Sequence, residues 1–464
     1  MSSEWSVKKL GDLVTFLSGG TPSKSNKDYW DGEIPWISAS SMQSTRYNDS
    51  DLRVTSLGST NGTRSVPAGT VLLLVRGGAL HNKIPVGITT REVTFNQDVK
   101  ALVPKSEDIT PYYLLAWLIS SRDLLLGKVE NTGIGAGKLD TKILQDLDVP
   151  LPPKAELLRL ELFSKALDDK IILNQNINHT LEQMAQALFK SWFVDFEPVK
   201  AKMAVLEAGG SQEDATLAAM TAISGKDANA LAVFEREQPV QYAELKATAE
   251  LFPSAMQESE LGEIPEGWAL GSLSDIATFA NGKVDVSSLT LDTYVSTENM
   301  LENRAGISRA SSLPSVNSVP DFRRGHVLIS NIRPYFKKIW LARFEGGRSA
   351  DVLAFEARDS VTVEYIYNLL YQESFFDFMM LTSKGVKMPR GDKKAIMGWQ
   401  CICPEKKISK AFSTAVGKYY SFIESNNAQN KTLTQLRDTL LPKLLSGEIT
   451  LPEAEQTVSE AENV

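Results

Sequence analysis

Two stretches of the chain alternate apolar and polar residues with a period near three and a half. In the first, about residues 155–193, Leu160, Leu167, Asn174, Leu181 and Leu188 recur every seven positions, with a companion column through Phe163, Ile171, Ile177 and Met184. In the second, about 407–445, Phe412, Tyr419, Asn426, Leu433 and Leu440 do the same, beside Ala415, Ile423, Gln429 and Leu436. Heptad spacing of this kind predicts two long helices that pair as a coiled coil. A helix packed only on its own globule would satisfy either stretch taken alone. Asn174 and Asn426, however, share one heptad step and sit at the midpoints of their stretches. An antiparallel pairing therefore sets them opposite each other, with Leu160 beside Leu440 and Leu188 beside Phe412. At about 1.5 Å per residue such a rod is roughly 58 Å long. It would hold two flanking globules at opposite ends, related by a pseudo-twofold axis.

The flanking segments are themselves a repeat. The run from Trp5 to Phe16 returns as Trp268 to Phe279, 263 positions later, and Thr180-Leu181 returns as Thr432-Leu433, 252 positions later. Each copy begins with short β-rich runs punctuated by Gly, Pro, Asn and Ser. Val71–Val75 and Val327–Ser330 read as buried strands, each following a turn glycine, Gly69 and Gly325. A short helix is predicted next in both, Pro111–Ser121 and Val363–Glu373. The copies meet again at Asp140 and Asp392 and at Pro152 and Pro404. The expected fold class is α+β: two globular domains separated by two long helices that form an antiparallel coiled coil. The expected boundaries are 1–152 and 262–404 for the globules and 153–198 and 405–447 for the helices. Residues 199–261 match nothing in the second copy and read as a helical, acidic insertion or linker. Residues 448–464 read as an acidic, disordered tail.

Composition changes this picture in one respect. The formal net charge is −8, which argues against a polyanionic partner until its distribution is considered. Residues 197–266 hold 13 acids and 5 bases, and the segment from Glu448 onward adds five Glu and no base. The remainder carries 44 basic and 39 acidic residues, so an acidic insertion and tail mask a mildly basic body. Nucleic acid stays open as a partner. No apolar run approaches a membrane span, and the opening Met-Ser-Ser-Glu-Trp-Ser has no apolar core of a signal peptide, so a cytoplasmic protein is expected. Cys401 and Cys403, the two cysteines, cannot build a disulfide framework or complete a zinc site.

Catalytic equipment is missing from the pattern. Gly133-Ile-Gly-Ala-Gly-Lys138 imitates a phosphate loop but has Thr132 and Leu139 where Gly and Ser/Thr are needed. As a nucleotide loop it lacks a convincing strand before it, and a plain Gly-rich connection accounts for it. Asn331-Ile-Arg-Pro-Tyr335 only imitates the signature of amino-methyltransferases. His81, His179 and His326 show no metal or nucleophile–base spacing. No catalytic residue, metal site or bound cofactor is expected.

Basic and polar residues do gather in the loops. Residues 321–348 hold seven Lys/Arg against two acids, and 383–394 hold five against one. Such loops could place Lys on phosphates and Arg or Asn on base edges; a solvated surface is the competing account. In the first globule the candidates are Thr21, Ser23 and Lys24 in Gly19-Gly-Thr-Pro-Ser-Lys24, then Arg76, Asn82, Lys83, Asn96 and Gln97. In the second they are Lys283, Asn331, Arg333, Lys337, Lys338, Arg348, Lys384, Lys387 and Arg390. Trp30 and Trp36 fit a core better than a stacking platform.

Taken in order, these residues resemble the specificity subunits (HsdS family) of type I restriction-modification systems. The resemblance spans nearly the whole chain. It is carried by Gly19-Gly-Thr-Pro-Ser-Lys24 with Ile34-Pro-Trp-Ile-Ser38, and by Thr94-Phe-Asn-Gln-Asp98 with Lys100-Ala-Leu-Val-Pro104. Phe189-Lys-Ser-Trp-Phe-Val-Asp-Phe-Glu-Pro198, Gly262-Glu-Ile-Pro-Glu-Gly-Trp268 and the helix end Leu436-Arg-Asp-Thr-Leu-Leu-Pro-Lys-Leu-Leu-Ser-Gly-Glu-Ile449 continue it. The chain departs from the family at Pro152-Pro-Lys-Ala-Glu-Leu157, where Gln usually follows the Glu, and further at Cys403-Pro-Glu-Lys-Lys407. The resemblance implies a non-catalytic subunit with two target-recognition domains, each reading half of a bipartite, asymmetric site in double-stranded DNA. The helices would set the unread spacer. Two modification subunits, which bind S-adenosylmethionine and methylate adenine, would dock on it, and two restriction subunits using ATP and Mg could join. Two other readings stay open: a self-contained DNA methyltransferase, and a tandem scaffold that joins proteins without DNA.

Overall fold

Strand formation begins where branched and long apolar side chains run together. Val71–Leu74 (Val-Leu-Leu-Leu) and Val327–Ser330 (Val-Leu-Ile-Ser) are buried at every position. Each follows a turn closed by a glycine in the left-handed region, Gly69 at φ +84° and Gly325 at φ +90°, a conformation that costs other residues strain. The computed structural model describes residues 5–132 and 135–462. Gly133 and Ile134 of the Gly-rich loop lie outside the described residues.

The chain divides into two units, one built from the residues up to Asn176 together with those from Asn426 onward, the other from Ile177–Ser425. Each therefore contains a mixed α/β globule and one half of each long helix, Lys154–Phe193 and Lys406–Ser446.

In the first unit a five-stranded sheet runs in the order Val14–Ser18, Val99–Pro104, Val71–Leu74, Val86–Thr89, Arg46–Tyr47. A second sheet runs Arg53–Val54, Trp30–Ile37, Val93–Phe95, Arg64–Val66. The second unit repeats the plan. Ala277–Phe279, Val352–Ala357, Val327–Ser330 and Ile339–Leu341 follow the order of the first four strands above, and Tyr294–Val295, Gly346–Arg348 and Ser318–Phe322 form the core of the other sheet. In both second sheets one neighbouring pair is parallel, Trp30–Ile37 with Val93–Phe95 and Tyr294–Val295 with Gly346–Arg348.

A ribbon ties the start of each globule to its end, Ser6–Lys9 against Asp148–Leu151 and Ala269–Ser272 against Gln400–Cys403. The helices Pro111–Ser120 and Val363–Leu370 each send one tyrosine to that ribbon: Tyr113 Oη donates to Pro150 O at 2.6 Å and Tyr365 Oη to Ile402 O at 2.7 Å. Asp140 and Asp392 cap equivalent short helices by accepting main-chain N–H groups, as short acceptor side chains do.

Inside each unit the long helices run antiparallel. In the first, Leu157, Leu160, Phe163, Leu167 and Ile171 share a core with Leu433, Leu440, Leu441, Leu444 and Leu445. The expected register needs correction there. Asn174 Nδ2 donates to Gln429 Oε1 at 2.7 Å and to Asn430 Oδ1 at 2.9 Å, a turn beyond the expected Asn426, which is itself buried. In the second unit the heptad column gives way. Met184 is exposed, while Ala185, Phe189, Trp192 and Phe193 are buried with Phe412, Val416 and Tyr420. That spacing follows the 3.6-residue turn because the helix here covers its globule as well as its partner helix, which demands a wider apolar face. Phe193 stacks edge-on against both Tyr365 and Phe412, at 4.9 and 5.4 Å.

Between the copies the helices Gln212–Ser224, Ala228–Glu237 and Pro239–Glu250 gather around Ala219, Met220, Leu231 and Ala249, while the helix Glu197–Glu207 buries Val199 in the core of the second unit. The tail expected to be disordered instead forms the helix Leu451–Glu462. Leu451, Ala454 and Val458 lie one or two turns apart and pack on the core of the first unit, and Thr450 is capped by Glu453. A short apolar stripe outweighs the charge of its four Glu.

Candidate nucleic-acid interface

In the first globule the loop that carries Thr21, Ser23 and Lys24 is held by two tryptophans. Trp36 Nε1 donates to Gly20 O at 3.0 Å and Trp30 Nε1 to Ser23 O at 3.1 Å, the two rings meeting edge to face at 5.4 Å. Both indoles are anchors, which leaves Thr21, Ser23 and Lys24 exposed on a fixed loop. Thr21 Oγ1 donates to Gln97 Oε1 at 2.7 Å, so the structure joins this loop to the turn at Asn96–Asp98. Asn96 itself is buried, its Oδ1 accepting from Asp98 N at 3.1 Å. It shapes the turn and presents no amide to a ligand, which corrects its place among the contact candidates. Val75 N in turn donates to Asp98 O, tying the turn to the strand edge that carries the exposed Arg76.

Arg76 pairs in register with Lys138, and Asn82 and Lys83 follow, exposed, with Lys83 Nζ on Gln43 Oε1 at 3.1 Å. Sequence reasoning missed Arg64, which borders a depression of about 450 Å³ between Gly19-Gly20 and Ser59–Thr63. As an isolated strand-end cation it offered no cluster to notice. Lys138 was visible only as the end of the failed phosphate loop.

The second globule separates its candidates sharply. Arg348 is buried, and its guanidinium donates to three main-chain carbonyls: Asp321 O at 3.0 Å, Ala280 O at 2.9 Å and Val352 O at 2.5 Å. Burial pulls its pKa down, partly opposed by Asp321. It stitches strands together and is removed from the surface set. Asn331 is also buried, Nδ2 donating to Gly391 O at 3.1 Å. Lys338 Nζ donates to Thr297 O at 2.9 Å, and Lys337 pairs with Glu373 at 2.6 Å, a hydrogen bond that holds the Glu373 carboxyl below its usual range.

What remains in the open is a cationic rim of Arg333, Lys384, Lys387 and Arg390, with Lys283 exposed on an edge strand. Lys384 pairs with Asp392 at 2.6 Å and Arg390 with Asp351. Arg333 and Lys387 have no ion pair among the described residues. Half-salted, solvent-facing cations on fixed loops can neutralise phosphates without first breaking a buried network.

Among the described residues neither globule brings together a reactive constellation. His326 is buried and accepts Arg323 N on Nδ1 at 3.2 Å, and His81 faces Gly135 O at 2.9 Å. Among the described residues no group of three or more His, Cys, Asp or Glu is placed to hold a metal, and no helix is long and apolar enough to cross a membrane.

A family model described as the type I restriction modification DNA specificity domain matches residues 2–183. The type I restriction enzyme HindI specificity subunit of Haemophilus influenzae is 32% identical over 363 residues, covering 75% of this chain and 79% of that one. The MjaIX specificity subunit of Methanocaldococcus jannaschii is 24% identical over 480 aligned positions, covering 97% and 94%. A crystal structure of a type I restriction-modification S subunit from M. genitalium covers 96% of this chain and 97% of its own at 13% identity and a TM-score of 0.44.

Proposed function

The chain belongs to the specificity subunits of type I restriction enzymes, and from that premise we propose how its two units divide the work of recognition. It is the DNA-specificity component of a restriction-modification complex and not a catalytic one. Each globule reads one half of a bipartite, asymmetric site in double-stranded DNA. The loops around Thr21, Gln97 and Arg76 serve one half-site, and those around Arg333, Lys387 and Arg390 serve the other. The observation that carries this reading is one strand order built twice beneath loops that differ. A common scaffold suits the common backbone of two half-sites, and unlike loops suit unlike bases.

The long helices set the spacer between the half-sites and dock two modification subunits, which bring S-adenosylmethionine and methylate adenine. Restriction subunits, which use ATP and Mg, join the same assembly, and the complex works in the cytoplasm. Flipping of the target adenine falls to the modification subunit. This chain's part is to hold the duplex in register through cations that touch phosphates and side chains that reach base edges.

The test is salt-dependent DNA binding by the complex assembled with its modification subunits. The affinity should fall steeply with salt, as counterion release requires. A protein-only scaffold gives no such slope, and S-adenosylmethionine binding by the isolated chain would instead point to a self-contained methyltransferase. Deleting one heptad from either helix should change the spacer or abolish assembly while both half-site sequences stay the same.

A further inference from the structure

The most unusual surface of the second globule is a small loop whose charge and apolarity disagree. Lys384 and Arg390 exchange main-chain hydrogen bonds, N to O in both directions at 2.9 Å, and so close the loop Lys384–Arg390 at its neck. Gly385, at φ +97°, makes the turn. The neck is fastened on three sides: Arg333 N donates to Pro389 O at 2.8 Å, Asn331 Nδ2 to Gly391 O, and Arg390 pairs with Asp351. Gly391 leaves the room that the Asn331 amide occupies, since a Cβ there would come within 2.6 Å of Asn331 Oδ1.

On this fixed neck the tip is apolar and bare. Val386 has 101% of its reference surface exposed and Met388 55%, and Leu381, just before the loop, has 84%. Single exposed apolar residues mean little. Here three stand within eight positions, interleaved with Lys384 and Lys387 and followed by Arg390, and the loop that holds the neck adds the half-exposed Tyr335. A neck already ordered by main-chain bonds loses little entropy when the tip is covered.

We propose that the loop Lys384–Arg390 is a wedge that enters a groove of the DNA, seating Val386 against the bases while Lys387 and Arg333 take the flanking phosphates. The proposal rests on the function assigned above and adds a specificity-determining residue to it. Charge selects the occupant: a ring of cations around an apolar point suits a polyanion whose interior is apolar. Base steps and thymine methyl groups are the surfaces in DNA that such a side chain can meet. The sequence places Gly133-Ile134 at the same distance before Asp140 as Gly385-Val386 before Asp392, so both repeats carry a glycine followed by a β-branched apolar residue there.

The experiment compares V386N and K387A with the wild type in the complex assembled with its modification subunits, on target and scrambled duplexes over a range of salt. V386N should weaken target binding on the order of tenfold, leave scrambled binding and the salt slope unchanged, and reduce methylation at the target. K387A should weaken binding to both duplexes alike and lower the salt slope by about one. Unchanged target affinity and methylation in V386N overturns the wedge, as does a V386N chain that fails to assemble, which would assign the tip to a protein partner. If the wild-type complex itself binds no DNA in a salt-dependent way, the assigned function falls first and is told apart by that control.

Discussion

Asn174 donates its side-chain amide to Gln429 Oε1 at 2.7 Å within the buried contact between the two long helices of the first unit. The same nitrogen reaches Asn430 Oδ1, and Asn430 Nδ2 reaches back to Ile171 O at 3.3 Å. A buried amide with two partners fixes the register at a cost in stability. Removing it leaves acceptors without their donor, so N174A should lower stability by about 1–3 kcal/mol. Urea denaturation followed by circular dichroism would show this as a lower midpoint. An unchanged midpoint would mean the amide network contributes nothing to the pairing.

Arg348 and Lys387 should fail in opposite ways. Truncating Arg348 takes the side-chain donor from three main-chain carbonyls, two of them in buried contacts, and R348A should lower the melting temperature by several degrees, as a loss of a few kcal/mol does. K387A removes an exposed charge and should leave the melting temperature within a degree of the wild type. Differential scanning fluorimetry decides this; a K387A chain that melts early would place Lys387 in the fold.

Burial pushes the Glu182 carboxyl up to about 7, against the opposing pull of a hydrogen bond from Tyr367 and of Arg343. Its Oε1 is cut off from solvent without a partner. An ordinary glutamate in the unfolded chain loses its proton near 4.5. Between those values the folded form keeps a proton that the unfolded form has released. Stability therefore falls as pH rises from about 4.5 to about 7, and is flat above. E182Q removes that loss, so its advantage over the wild type should grow from pH 5 to pH 8, up to roughly 3 kcal/mol. An advantage independent of pH would show that Glu182 titrates normally.

The helix Leu451–Glu462 is held by few but well-placed contacts. Ending the chain after Thr450 removes Leu451, Ala454 and Val458 from the core of the first unit. The truncated protein should melt several degrees lower and bind more of a hydrophobic dye. Equal melting would mean that the helix adds no stability.

Much of this architecture was legible in the chain. Val71–Leu74 and Val327–Ser330 announce themselves as strands because a continuous branched apolar run after a left-handed glycine has few alternatives. The two long helices follow from their periodicity. The first unit's column at Leu160 and Leu167 survives, whereas Met184 turns outward, because heptad counting assumes a single partner and Phe189, Trp192 and Phe193 have two. The tail's charge predicts disorder, whereas Leu451, Ala454 and Val458 form an apolar stripe that packs on the first unit. Site residues were the least legible. Arg348, Asn331 and Asn96 carry the same chemistry as Arg333 and Gln97, and only the fold decides which face inward. Val386 is apolar and β-branched, so its sequence alone does not distinguish an exposed tip from a core position.

The central claim, that each globule reads its own half-site, is tested most directly by sequencing methylated adenines in cells that carry this chain with its modification subunit. Residues 262–404 would then be exchanged for the corresponding segment of a relative. One bipartite motif with an unread spacer is predicted, with the exchange altering one half-site and preserving the other half and the spacer. A motif in which both halves change, or neither does, would contradict the account.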